Sequence, residues 1–330
     1  MDWELIFETT IRAAFTKDAI VYALAGIGLN IHFGYTGLLN FGQAGFVALG
    51  AYGTAVTVEY FEQSMWLGFF AGLLAAAVFA LLLGVPTLRL RGDYLAIVTI
   101  AAAESVRLIL RSTTFTPIFG GSSGINNFAG AFYDINPYSP GRYGFGPLRF
   151  RHTEIWPMTV GWGLVILTAV LVFLLMRSPW GRVLKSIRED EDAAVSLGKN
   201  VFSYKMQALV LGGVIGALGG FINAVATQSV QPDNYGTPLT FFILTALLLG
   251  GAARVIGPII GAMAFWMVLT FTDSFLRQAS ATDLIPDAIM TGTQVGAVRF
   301  MLVGVLLCAL IVFRPQGIFG DRREIELDAR

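Results

Sequence analysis

Glu104 and Arg107 are an ionisable pair set inside an apolar run, DYLAIVTIAAAESVRLIL from Asp93 to Leu110. Three residues apart, they occupy neighbouring positions on one helix face, which allows an internal ion pair. If Arg107 instead turns outward, Glu104 becomes a carboxylate free to meet an ammonium group. Asn30, His32, Asn40 and Gln43 place hydrogen-bonding groups in glycine-rich apolar sequence. Burying them costs free energy unless they meet partners or water, so they read either as the lining of a polar route or as ties between packed helices. Asn223 and Gln228, near the outer end of a later apolar run, read either as contacts for passing solute or as interfacial polarity. Catalysis finds no footing: His32 and His152 lie far apart, and neither a metal-ligand cluster nor a nucleophile elbow is present. No phosphate loop of the G-x-x-x-x-G-K-[ST] type occurs, and Gly120 to Gly124, GGSSG, lacks the lysine and reads as a flexible turn. The chain is therefore expected to hold no catalytic residue, metal or cofactor.

The other concentration of chemistry is PWGRVLKSIREDEDAAVSLGKN, Pro179 to Asn200, a charged island between two apolar segments. Ser178 is placed to cap a helix that begins at Pro179, with Val183, Leu184 and Ile187 on one face and Arg182, Lys185 and Arg188 on the other. Asp190 offers a second cap before Ala193, Ala194, Val195 and Leu197, and Gly198 can end that turn in the left-handed conformation. The acids from Glu189 to Asp192 favour the positive end of the second helix dipole. By itself the island reads either as a solvated connection or as a surface for another protein.

Both groups of residues must be positioned by membrane helices. Of 330 residues, 55% are hydrophobic and 13% charged, and the mean hydropathy is +0.68. Zero formal net charge gives no basic field for nucleic acid. Apolar runs fall at Ala19 to Phe33, Phe41 to Val58, Met65 to Val85, Tyr94 to Leu110, Pro157 to Met176, Tyr204 to Ala226 and Val298 to Phe313. A region from Leu239 to Phe275, broken by Gly250-Gly251 and Gly257-Pro258, forms two short helices or a re-entrant pair. The expected fold is all-α, a single polytopic domain over residues 1–330 with about eight to ten crossings. The lysines and arginines place the connections holding Arg89 and Arg91, the island at 177–204, and Arg314, Arg322 and Arg323 on the cytoplasmic side. The long connection 112–156 then falls outside and is expected to be irregular, and the N-terminus falls outside as well. No basic leader with a cleavage site opens the chain, so the first apolar segment is expected to be retained.

The order of local motifs resembles one family. Asp192-Ala193-Ala194, three residues, then Gly198 is similar to the coupling signature of ABC-importer permeases, with Asp where Glu is usual. GRVLKSIREDEDAAVSLGKNVFSYK resembles the corresponding loop of LivM-type permeases of branched-chain amino acid importers. GYTGLLNFGQAGFVALGAY, GGSSG, LLLGGAARVIGPIIGA and FRPQGIFG add further matches in order. Gln43 departs from the histidine common in that family. The resemblance implies a bacterial inner-membrane permease subunit of an ATP-driven importer, paired with a LivH-type permease, two cytoplasmic ABC ATPases and a periplasmic solute-binding protein. ATP and Mg would belong to the ATPases. Arg182, Lys185, Arg188, Asp192, Ala193, Ala194 and Gly198 are then the expected coupling contacts, and Asn30, Asn40, Gln43, Glu104 and Asn223 the candidate lining of the route. Relatives for urea, short amides and related solutes leave the cargo open. An ion-coupled secondary transporter and a scaffold without transport remain alternative classes.

Overall fold

A computed structural model describes residues 2–90, 92–146, 148–282 and 294–298, with isolated positions between 301 and 318. Arg91, the basic residues after position 313 and most of the expected Val298 to Phe313 span lie outside the described residues. Helices dominate: α1 (Trp3–Ala13), α2 (Lys17–Asn30), α3 (Gln43–Glu59), α4 (Met65–Thr87) and α5 (Gly92–Arg111) come first. Short helices α6 (Thr116–Phe119) and α7 (Gly130–Asp134) precede α8 (His152–Arg177), α9 (Pro179–Glu189), α10 (Glu191–Ser196), α11 (Val201–Thr227), α12 (Thr237–Gly250) and α13 (Gly257–Ala281). α4, with 23 residues, is about 35 Å long at 1.5 Å per residue, enough for the roughly 30 Å hydrocarbon layer. Trp3–Tyr35, α4, α8, α11 and most of α13 are each long and apolar enough to cross. With α3, α5 and α12 the described residues supply eight bundle helices, in line with the expected fold.

The bundle is layered by side-chain size. α2, α3 and α11 are buried on nearly every face, which is why they show no amphipathic stripe. α4 and α8 keep one buried edge and turn Trp66, Phe70, Leu74, Leu82, Ile166, Leu167 and Leu174 outward. An apolar surface on that scale suits lipid rather than water. The buried edge of α4 is Gly68, Gly72, Ala76 and Ala80, a stripe of small residues every fourth position that lets backbones close in. A Cβ on Gly72 would stand 2.7 Å from the Gly50 carbonyl of α3.

The Leu239 to Phe275 region is an antiparallel helix pair. Cβ atoms on Gly250 and Gly261 would collide with the Gly257 and Ala246 carbonyls at 1.8 and 1.9 Å, so the glycines that break the run also allow its halves to pack. α12 has 14 residues, about 21 Å, and falls short of the full hydrocarbon thickness.

Three local features differ from expectation. α1 was not foreseen as a separate helix; Asp2 caps it through Leu5 N–H at 3.1 Å, and it packs against α13, with Thr9 Oγ1 3.3 Å from Ser274 Oγ. The connection 112–156 is ordered rather than irregular. It holds a hairpin of β2 (Arg142–Phe145) and β3 (Leu148–Arg151), and β1 (Ile125–Asn126) pairs antiparallel with β4 (Ser229–Val230). That second pairing spans about a hundred residues and leaves no local signature. The Gly120–Gly124 turn is likewise packed: Gly124 has φ +69°, and a Cβ there would meet the Val230 carbonyl at 1.9 Å, so glycine is required by space as well as by backbone.

Candidate coupling hairpin and buried polar cluster

α9 forms because Pro179 occupies its first turn and Leu184 and Ile187 share one buried face. Ser178 holds the N-cap position but does not cap; its Oγ donates back to the Leu175 carbonyl at 2.7 Å, since the preceding helix α8 ends there with open acceptors. Asp190 caps α10 through Ala193 N–H at 2.9 Å, and Gly198 leaves the helix at φ +75°. The two helices fold onto each other around Ile187, Ala194 and Val201. Lys205 of α11 pairs with Glu191, and Trp180 Nε1 donates to Gln207 Oε1 at 2.8 Å, fixing the hairpin to α11.

This geometry divides the expected contact residues. Arg182, Lys185, Asp192, Ala193 and Gly198 are exposed, whereas Ala194 is buried inside the hairpin. Arg188 turns inward and donates from Nη1 to the Gly34 carbonyl at 2.6 Å. Two exposed apolar residues, Val195 at 55% and Leu197 at 77%, stand beside Ala193 and Gly198. Sequence reading does not single them out as contact candidates, although the mostly apolar block Ala193 to Leu197 directly after the acids Glu189 to Asp192 was available to find them. The hairpin thus exposes the apolar Val195 and Leu197 together with the acids Glu191 and Asp192 of α10 and with Arg182 and Lys185 of α9.

Gly34 belongs to a π-helical turn, Ile31–Tyr35, that continues α2. Such turns arise where an extra residue is accommodated at the cost of regular hydrogen bonding. Next to it lies the polar cluster. Asn30, His32, Asn40 and Gln43 are all at most 2% exposed, and each is bonded. Asn30 clamps the α12–α13 connection, donating to the Arg254 carbonyl and accepting from Ala253 N–H, both at 2.9 Å. Asn40 Nδ2 stands 3.0 Å from His32 Nδ1 and 3.3 Å from Gln43 Oε1, while its Oδ1 accepts from Gly42 N–H at 2.9 Å. His32 Nε2 is 3.1 Å from the Leu209 carbonyl. An amide donor on Nδ1 and a carbonyl on Nε2 assign the neutral tautomer protonated at Nε2. Gln43 Nε2 reaches the Ala25 and Gly212 carbonyls at 3.2 and 3.4 Å.

The cluster therefore joins α2, α3 and α11 through backbone carbonyls, and Asn30 adds the α12–α13 turn. Asn40→Leu strands His32 Nδ1 and Gly42 N–H in the interior; a loss of about 1–3 kcal/mol is expected, read as a lowered melting temperature of the detergent-purified protein.

The remaining candidates lie toward the other end of the bundle. Arg107 Nε contacts both Glu104 carboxylate oxygens, at 2.9 and 3.0 Å, so the expected internal pair forms. Asp233 completes it, accepting from Arg107 Nη1 at 2.8 Å and Arg111 Nη1 at 3.2 Å. More than a hundred residues of separation kept that carboxylate out of the sequence reading. Asn223 Nδ2 donates to Tyr235 Oη at 3.2 Å. Both groups tie a helix to the segment joining α11 and α12.

Residues 11–311 match the family model described as branched-chain amino acid transport system / permease component. The high-affinity branched-chain amino acid transport system permease protein LivM of Escherichia coli is 30% identical, over 92% of this chain and 69% of its own. A probable branched-chain amino acid transport permease protein LivM of Methanocaldococcus jannaschii is 26% identical over 92% of this chain and 91% of its own. The nucleoside ABC transporter permease protein NupC of Lactococcus lactis is 26% identical over 69% and 71%. A multi-helix apolar bundle with a charged hairpin at one end, matched over nearly its full length, belongs to the family of branched-chain amino acid transport permease components.

Proposed function

We propose that this chain is one membrane half of an ATP-driven importer that carries branched-chain amino acids across the cytoplasmic (inner) membrane. A second LivH-type permease, two cytoplasmic ABC ATPases and a periplasmic binding protein complete it, with ATP and Mg held by the ATPases. The observation that supports this reading best is the α9–α10 hairpin. It exposes Ala193, Val195, Leu197 and Gly198 at one surface while Arg188 reaches the Gly34 carbonyl at its back. A displacement imposed on that surface by a partner is thereby delivered to the π turn and the polar cluster. Alternating access needs such contacts to differ between two arrangements of the helices. Asn30, Asn40, Gln43, Glu104 and Asn223 remain the candidate lining of the route, and in the present arrangement each is engaged by protein. Transport then requires some of these bonds to exchange for solute or water.

The test is reconstitution of the five-component complex in liposomes. Leucine, isoleucine and valine are expected to accumulate with ATP inside and binding protein outside, ahead of urea and nucleosides. Uptake driven by an ion gradient with this chain alone overturns the proposal. Leu197→Asp, which puts a charge among the exposed apolar residues, is expected to abolish co-purification of the ATPases while leaving the melting temperature of the isolated chain unchanged.

A further inference from the structure

A cavity of about 330 Å³ lies at the end of α2 opposite the coupling hairpin, where the α1–α2 connection meets the start of α8 and the end of α11. Its size falls within the range of small-molecule sites. Two ion pairs border it: Arg12 Nη2 to Glu154 Oε2 at 2.8 Å, and Lys17 Nζ to Asp18 Oδ1 at 2.9 Å. Phe150 and Met158 supply apolar wall. Each charged group is only partly engaged. Arg12 lies over the Phe150 ring, 4.8 Å from its centroid, and gives one amino group to Glu154. Glu154 Oε2 also accepts from Arg151 N–H at 3.1 Å. Arg12 Nε and Nη1, Glu154 Oε1, Asp18 Oδ2 and two of the three Lys17 protons have no protein partner among the described residues.

The rim therefore carries two cations and two carboxylates beside an apolar surface. With no net charge, it gives neither a bare anion nor a bare cation an overall coulombic advantage. A molecule that carries both signs can meet both, and charge-assisted hydrogen bonds to each end are the strong kind. We propose that this cavity binds a zwitterion: an oxyanion set against Arg12 and Lys17, an ammonium against Asp18 and Glu154, and an apolar chain against Phe150 and Met158. Two molecules supply this chemistry, a free apolar α-amino acid and an ethanolamine phospholipid. The choice of leucine as probe rests on the transport reading; the zwitterion chemistry does not.

The permease–ATPase assembly, without the binding protein, is placed in nanodiscs free of ethanolamine lipid and titrated calorimetrically with L-leucine. In discs that contain phosphatidylethanolamine, retained lipid is counted by native mass spectrometry. The charge-neutral double variant Arg12→Gln/Glu154→Gln removes one end of each sign, and Ala226→Phe fills the cavity without touching a charge. At least a tenfold loss of leucine affinity in both variants assigns a free amino acid, and loss of the retained lipid in both assigns the phospholipid. Leucine affinity and lipid retention that match wild type in both variants overturn the site. ATP-driven uptake is measured with the same complexes reconstituted in liposomes with binding protein present, so an inactive wild-type complex counts against the transport reading and leaves the binding result standing.

Discussion

Valine at Gly220 is expected to prevent the bundle from closing. A Cβ at this position would stand 1.9 Å from the Val47 carbonyl and 2.9 Å from Ala51 N–H, so α11 and α3 meet here backbone to backbone. No flexible side-chain end can move aside. Overpacking in a close-packed interior costs typically about 1–3 kcal/mol and occasionally more, and a contact with main chain on both sides belongs at the upper end. In a protein of ordinary marginal stability that is a large fraction of the total. The expected outcome is loss of the monodisperse peak in detergent chromatography. Gly163→Ala is the matched control, because a Cβ there meets nothing within 4 Å; it should express and melt as wild type. A well-folded Gly220→Val protein would mean that α3 and α11 do not pack as described.

Arg188→Leu is expected to separate assembly from coupling. The substitution keeps the bulk of a half-buried side chain but removes the guanidinium that donates to the Gly34 carbonyl at 2.6 Å. A hydrogen bond with one charged partner contributes about 1.5–3 kcal/mol, and each 1.4 kcal/mol is about tenfold in an equilibrium. ATP-driven uptake should therefore fall about tenfold or more, with the ATPases still bound because Leu197 and Ala193 are untouched. Arg188→Lys keeps a donor on a shorter reach and should restore part of the rate. Wild-type uptake by Arg188→Leu would show that the link to the π turn carries no work.

Helices and membrane class were legible in the sequence because both rest on local quantities: run length, hydropathy and the spacing of small residues. The same holds for the Asp190 cap and the left-handed Gly198, each set by neighbours within four residues. The Glu104–Arg107 pair was legible for that reason too, while its third member, Asp233, was not. Nothing local to Glu104 announces a carboxylate 129 positions later.

The polar residues show the limit most clearly. Composition established that Asn30, His32, Asn40 and Gln43 had to find partners or water; it left open which. Their partners are mostly main-chain groups, the carbonyls of Ala25, Leu209, Gly212 and Arg254 and the N–H groups of Gly42 and Ala253, and nearly every residue offers both, so no residue type could mark them beforehand. In the same way Ala193 and Ala194 are indistinguishable as letters, yet the angle at which α10 folds onto α9 buries one and exposes the other. What chain-local chemistry determined was the kind of structure and the inventory of groups needing satisfaction; which group meets which, and which face remains for a partner, was decided only when helices distant in sequence packed against one another.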